Sequence, residues 1–254
     1  MEQVVVVTGA TGGLGSATVR RFGTAGAKLV LCDLPQAKER MGKLSEEINK
    51  GPGQAFAYQA DVRKFEEMEG MVKETVKKWG RIDVVVNTAG GTYSMLTRKG
   101  EKRLLEHTEE IWDLVVDINL KGSFNCIKAV VPQMIKQKDG HIILVSSGSG
   151  LRPGKLMASY AAAKGGVFGL MKAAANEFGE HNIKVNAVTP GFIAHWKGEE
   201  LQKVLGGYNP DNYLKETTLG RFAVPEDLAE LVFFVSQTKN ISGQIFNNDS
   251  RILF

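Results

Sequence analysis

The chain has 254 residues, 43% of them hydrophobic and 24% charged, with a net charge of +4. That is ordinary for a globular protein with a real core. It holds no apolar run near the about 20 residues a bilayer span needs, and no clustered basic motif of the kind that binds nucleic acid. Membrane and nucleic-acid partners are therefore not expected. The N-terminus passes straight into Val4-Val5-Val6-Val7 without the basic, apolar and cleavage regions of a signal peptide. Two cysteines, Cys32 and Cys126, sit in apolar segments and read as buried free thiols, so the expected location is the cytoplasm.

Short β-branched runs alternate with longer amphipathic stretches. Strands are predicted at 3–8, 28–32, 54–60, 82–86, 141–146, 183–188 and 244–247. Helices are predicted near 13–25, 36–50, 64–79, 108–137, 158–180 and 225–236. Apolar strands separated by helices indicate a parallel sheet covered on both faces. The repeated βαβ unit predicts an α/β, Rossmann-like doubly wound fold of about seven strands. No linker, repeat or composition break divides it, so residues 1–254 read as one dinucleotide-binding domain. The stretch 192–218 carries Gly198, Gly206, Gly207 and Pro210 and is too long for a simple connection; it is expected to form a substrate lid.

Between the first strand and first helix lies Thr8-Gly9-Ala10-Thr11-Gly12-Gly13-Leu14-Gly15. Glycines there allow a tight turn and bring a diphosphate against a helix N-terminus, whose free N–H groups favour an anion. Strand before and helix after make this a nucleotide signal. Asp33 ends the second strand, where a carboxylate accepts hydrogen bonds from the adenosine ribose hydroxyls and repels a 2′-phosphate. A helix N-cap is the plainer role for such a residue. With no basic residue in the glycine turn, NAD is expected and NADP is less favoured.

Tyr160 and Lys164 are four apart in a predicted helix and project from one face. A neighbouring ammonium favours the phenolate and lowers the tyrosine pKa. The glycine turn, Asn87-Thr88-Ala89-Gly90, Asn119, Ser147, Tyr160-x-x-x-Lys164 and Pro190-Gly191 follow in one order. On these motifs the sequence resembles the short-chain dehydrogenase/reductase family from about Val4 to Gln244.

The resemblance implies roles position by position. Gly9, Thr11, Gly13, Leu14 and Gly15 would hold the pyrophosphate, and Asp61 and Val62 would contact the adenine. Asn87 and Gly90 would support the sheet beside the cofactor, with Thr88 replacing the usual second asparagine. Pro190, Gly191 and Ile193 would line the nicotinamide end. Ser147 would position the substrate oxygen and Tyr160 would exchange its proton. Lys164 would lower the tyrosine pKa and bind the nicotinamide ribose, while Asn119 would hold a water leading from Lys164 to solvent. The implied activity is NAD-dependent interconversion of a secondary alcohol and a ketone. The alternatives are a 3-oxoacyl-thioester reductase, which sits poorly with Asp33, and an inactive NAD-sensing protein, which needs no proton-transfer pair.

Three stretches depart from the pattern. His195 stands where the family usually has a threonine after Pro190-Gly191. Residues 91–108 form an insertion carrying Arg98, Lys99, Lys102 and Arg103; with Arg152, Lys155 and Lys197 they suggest a basic pocket rim and an anionic substrate. Asn247-Asn248-Asp249-Ser250 replaces a Val-Asp-Gly-Gly segment, before an apolar Ile252-Leu253-Phe254 end suited to a subunit interface or to covering the pocket. A homotetramer or homodimer is implied by the resemblance alone. The four histidines show no metal-ligand spacing.

Overall fold

The computed structural model describes residues 3–193 and 214–251. Val4–Thr8 (β1), Lys28–Asp33 (β2), Gln54–Gln59 (β3), Val84–Asn87 (β4), Gly140–Val145 (β5), Ile183–Pro190 (β6) and Ile245–Asn248 (β7) pair into one sheet. Their order is β3-β2-β1-β4-β5-β6-β7, and every pairing is parallel. The helices are α1 (Gly13–Thr24), α2 (Lys38–Asn49), α3 (Phe65–Trp79), α4 (Tyr93–Thr97), α5 (Glu109–Val116), α6 (Gly122–Gln137), α7 (Ala158–Phe178) and α8 (Pro225–Gln237). The doubly wound parallel sheet expected from the sequence is present.

Alternation along each inner strand explains why those strands are apolar on both sides, whereas the edge strands β3 and β7 are more polar and exposed. Val5, Val7, Leu29, Leu31, Val84, Val86, Ile143 and Val145 point to one face, where α1, α2 and α8 bring Phe22, Leu44 and Val232. Val6, Val30, Val85, Ile142 and Leu144 point to the other, against Met68 and Met71 of α3, Val130 and Met134 of α6 and Met171 of α7. A strand buried on both faces has no polar side to show. The chain reverses direction across the sheet between β1 and β4, and the C-terminal ends of these neighbours open the crevice where ligands bind in such sheets.

Two local features differ from the sequence reading. The predicted helix 108–137 is α5 and α6 joined by a π-helical turn, Asp117–Lys121, in which Asn119 is fully buried. One extra residue per turn rotates side chains relative to a plain α-helix, and such turns often mark functional sites. The insertion is not plain loop: it contains α4, capped by the Thr92 hydroxyl, and a 3₁₀ turn, Leu104–Glu106. Among the described residues no helix is long and apolar enough to cross a membrane. Cys32 and Cys126 are buried and unpaired with each other, and burial pushes both thiols up, Cys126 to about 12.

His141 opens β5 at the sheet end remote from the crevice and is 3% exposed. Its Nε2 accepts from the Asn186 amide at 2.9 Å, while Nδ1 faces the Ser236 backbone without good hydrogen-bond geometry. Burial, with the Lys184 cation nearby, pushes its pKa down from 6.5 to about 4. The folded state stays neutral while the unfolded chain takes up a proton, so stability is lost as pH falls from 6.5 to 4, by about 3 kcal/mol at full effect. His141→Gln is expected to lower Tm at pH 7 yet flatten its decline between pH 6.5 and 4; an unchanged slope by calorimetry would rule this source out.

Candidate active site

A cavity of about 620 Å³ runs along the C-terminal ends of the strands. At one end it is walled by the turn from β1 to α1. Gly9 has φ +64°, and a Cβ there would press on the Ala89 backbone at 2.9 Å; a Cβ on Gly15 would run into the Gly9 carbonyl. The α1 N-terminus begins at extended Gly12 with no side-chain cap and no acidic residue in its first turn. Its first N–H groups are left for a ligand, and its dipole favours negative charge. Thr11, Gly13 and Leu14 line this same end. A cradle that side chains would fill, with uncapped donors above it, fits a diphosphate.

Asp33 also lines the cavity, and it is not a helix N-cap. Its Oδ2 accepts from the Thr11 N–H at 2.9 Å and the Thr11 hydroxyl at 2.7 Å, and its Oδ1 accepts from the Leu34 N–H at 2.8 Å. The carboxylate thus ties the β2 end to the glycine turn and keeps lone pairs facing the cavity. Asp61 and Val62 form the next wall. Burial pushes Asp61 up, but the forked hydrogen bond from Arg63, down to 2.6 Å, more than offsets this and holds the carboxyl below its ordinary range. Val62 is fixed through its carbonyl by the Asn125 amide at 2.8 Å. Arg40, an exposed residue of α2, lines the cavity too and makes no ion pair among the described residues. A search of the glycine turn alone misses it, because α2 delivers it from outside the motif.

At the other end stand Ser147 and Tyr160, which are hydrogen-bonded to each other through their side chains. Ser147 follows β5 and caps the turn at Gly148–Gly150 by accepting from the Ser149 N–H at 3.1 Å. Lys164, one turn of α7 beyond Tyr160, is buried behind the wall; its Nζ donates to the Val145 carbonyl at 2.8 Å and lies 5.7 Å from the Tyr160 ring centre. Burial brings the Lys164 pKa down to about 8. The Tyr160 phenol moves opposite to the sequence expectation. Burial raises its pKa, the Ser147 hydrogen bond lowers it less, and the Glu101 carboxylate raises it further.

Asn119 is spent on the backbone. Its amide donates to the Gly91 carbonyl at 2.9 Å and the Val115 carbonyl at 2.8 Å, and its Oδ1 accepts from the Gly91 N–H at 3.1 Å. Neither side-chain donor is left to hold a water; what Asn119 does is pin Gly90–Gly91. Gly90 lines the cavity, and a Cβ on it would collide with Asn119 Oδ1 and come within 3.2 Å of Lys164 Nζ. Asn87 stands behind, accepting from the Thr8 hydroxyl at 2.5 Å and donating to Ser123 at 2.9 Å. Thr88, in place of asparagine, donates to the Thr8 carbonyl at 2.6 Å. Pro190, Gly191 and Ile193 complete the far wall.

The insertion contributes through residues the sequence did not single out. Thr92, Met95 and Leu96 form an apolar wall facing the Tyr160 side. Glu101 holds the start of α4 by accepting from the Ser94 N–H at 2.9 Å. His107 bridges the Arg103 carbonyl at 2.9 Å and the hydroxyl of Ser159, the residue before Tyr160, at 3.1 Å. Of the expected basic rim, Arg152 and Lys155 line the cavity, whereas Arg98, Lys99, Lys102 and Arg103 do not. The segment after β7 packs on Pro190–Gly191 through Gly191 N–H to the Asn248 carbonyl at 2.6 Å, and it brings Arg251 into the wall. The lid residues 194–213, with His195 and Lys197, and the tail 252–254 lie outside the described residues. Among the described residues no group of His, Cys, Asp and Glu is placed to hold a metal ion.

A glycine cradle, an acid at the β2 end and a Ser-Tyr pair with a buried lysine thus share one cavity. The short chain dehydrogenase family profile matches residues 3–202. The chain is 37% identical over 253 residues to a 3-oxoacyl-[acyl-carrier-protein] reductase of Thermotoga maritima, covering 99% of this chain and 98% of the relative. It is 38% identical over 250 residues to one of Synechocystis sp., covering 97% and 95%. Among solved structures it is similar to an NAD⁺-bound xylitol dehydrogenase (TM-score 0.88, 26% identity, 98% of each chain) and to a levodione reductase (TM-score 0.87, 29% identity, 98% and 96%). The chain belongs to the short-chain dehydrogenase family.

Proposed function

We propose that the chain is an NAD(H)-linked oxidoreductase that interconverts a 3-hydroxyacyl and a 3-oxoacyl thioester. The observation that carries the reaction type is the Ser147–Tyr160 hydrogen bond in a cavity with Lys164 buried behind it. The thioester is supported by 37–38% identity over nearly the whole length of relatives named 3-oxoacyl-[acyl-carrier-protein] reductases. It is also supported by the apolar wall of Met95, Leu96, Met157 and Phe192, which suits an acyl chain. This reverses the order of preference drawn from the sequence, where a simple alcohol–ketone pair came first. That second reading keeps one observation in its favour, the likeness to the xylitol dehydrogenase fold at 26% identity. Asp33 supports NAD(H) in either case, and Arg40 is the residue to watch if NADP(H) competes.

The cradle of Gly9, Thr11, Gly13, Leu14 and Gly15 would hold the diphosphate, Asp33 the adenosine ribose, Asp61 and Val62 the adenine, and Pro190, Gly191 and Ile193 the nicotinamide end. The bound nicotinamide supplies the hydride in reduction and takes it in oxidation. Ser147 holds the substrate oxygen beside the Tyr160 hydroxyl. In reduction Tyr160 gives its proton to that oxygen; in oxidation it removes the proton. Lys164 places a cation near the phenolate left after transfer and stabilises it. Asn119 keeps Gly90–Gly91 clear of the Lys164 ammonium and acts as a positioning residue. Cytoplasmic location and a homodimer or homotetramer remain part of this reading through the family resemblance.

Two measurements test it. Absorbance at 340 nm is followed with NADH and NADPH over acetoacetyl-N-acetylcysteamine and a panel of neutral ketones. NADH-linked reduction of the thioester is expected, with Tyr160→Phe lowering kcat by about 10²–10⁴-fold. Asp33→Asn is expected to raise KM for NADH on the order of 10-fold or more. Faster turnover of the neutral ketones would hand the assignment to the second reading. The second measurement is the pH profile of kcat/KM for reduction. Protonated Lys164 and Tyr160 are both required, so the rate is flat below about pH 8 and falls with one proton above it. A limb near pH 10.5 instead would mean that burial does not lower the Lys164 pKa.

A further inference from the structure

Three arginine–carboxylate pairs sit on the cavity wall among the described residues. Two are tight and local: Arg63 reaches Asp61 at 2.6 Å and Arg251 reaches Asp249 at 2.7 Å, each partner two residues away. The third is different in kind. Arg152 Nη1 stands 3.7 Å from Glu216 Oε2, and the two come from segments 64 positions apart. Their side chains are 53% and 37% exposed, so the pair lies where the cavity meets solvent.

Both ends of this pair are anchored by backbone. The Arg152 N–H donates to the Gly148 carbonyl at 2.8 Å, in the turn that Ser147 caps. Thr217 and Thr218, just after Glu216, are held by a bridge to Arg251 and by Thr218 N–H to the Ser250 carbonyl at 2.8 Å. The main chains are fixed while the charges meet loosely. An ion pair of this length and exposure contributes little stability, so exchanging one anion for another there costs little. Lys155 lies three residues on, lines the same wall and makes no ion pair among the described residues. Leu156 follows it in the left-handed region at φ +66°, a strained conformation that fixes how this loop presents its cations.

We propose that Arg152, with Lys155, forms a phosphate subsite at the cavity mouth, and that Glu216 is a resident carboxylate which the incoming phosphate displaces. The ligand class is the phosphate of a phosphopantetheine arm carrying the acyl thioester. An arginine fork binds a phosphate oxygen pair better than it binds a carboxylate at 3.7 Å, and the phosphate carries more charge. Glu216 then tempers the affinity: a phosphate displaces it before engaging Arg152, whereas an arm without phosphate leaves the pair in place. The inference rests on the thioester reading above and names the part of the substrate that reading leaves open.

The test measures binding of 4′-phosphopantetheine and of pantetheine to the protein saturated with NADH, by calorimetry. The quantity read is the ratio of the two dissociation constants, in which a general loss of affinity cancels. Wild type is expected to favour the phosphorylated arm by about tenfold or more, less at high salt. Arg152→Gln brings the ratio near one, and Glu216→Gln raises it above wild type. A wild-type ratio of one, or a ratio unmoved by Arg152→Gln, overturns the subsite. Failure of the thioester reading is seen separately, as no reduction of neutral acetoacetyl-N-acetylcysteamine by wild type. Acetoacetyl-coenzyme A and an acetoacetyl carrier protein, compared as substrates, tell which molecule brings the arm.

Discussion

An ammonium buried behind the catalytic wall is the constraint from which the rest of the site follows. Taking the Lys164 charge out of water is costly, and among the described residues it has only the Val145 carbonyl as a hydrogen-bond acceptor. Its pKa falls to about 8. Opposite Nζ, a side chain at Gly90 would collide with Asn119 Oδ1 and crowd Nζ at 3.2 Å, so the position stays bare. A backbone so bare is free to wander, and Asn119 holds it with three hydrogen bonds to Gly91 and Val115. Asn119 reaches that far because it sits in the π-helical turn between α5 and α6. The helix irregularity, the glycine and the asparagine answer one requirement.

That chain of dependence explains what could be read from the sequence and what could not. Strands buried on two faces leave an apolar run, which made β1, β2, β4, β5 and β6 legible to within two residues, while the edge strands β3 and β7 are more polar and were placed by the recurring strand–helix spacing. The glycine turn was legible because strand, glycines and helix occur in register, and the residues assigned to its cradle line one cavity. Motif order singled out Asn119, but not its hydrogen bonds to the Gly91 and Val115 backbone. A side chain that bonds to a neighbouring loop leaves no periodic trace. The insertion was seen only as extra length and charge. Its basic residues do not line the cavity, and Glu101 and His107 hold the ends of α4 and α7. Position in sequence carries no signal for such contacts.

Cofactor choice illustrates a further limit of reading by motif. Asp33 binds Thr11 through one oxygen and the following backbone through the other, so it builds the turn as well as facing the ligand. A residue with both duties resists being exchanged merely to change specificity, because its loss loosens the glycine cradle. Arg40 has no such duty. It lines the same cavity from α2, and on the proposed cofactor placement its charge would act on whatever the ribose carries. Selectivity at this end is therefore a difference between a fixed acid and an adjustable base.

The electrostatics of the catalytic end bear on direction. On the proposed reading, Asp33 and the NAD preference it supports lean toward oxidation. The proton inventory leans the other way. Burial and the Glu101 carboxylate both hold the Tyr160 proton on, and only the Ser147 hydrogen bond favours its release. A tyrosine kept protonated is ready to give a proton, which is what ketone reduction asks of it. Glu101 belongs to the insertion, so this bias comes from a segment peculiar to the chain's own departure from the family pattern. The segment that lines the cavity with Met95 and Leu96 therefore also adds to the burial that keeps the Tyr160 proton on.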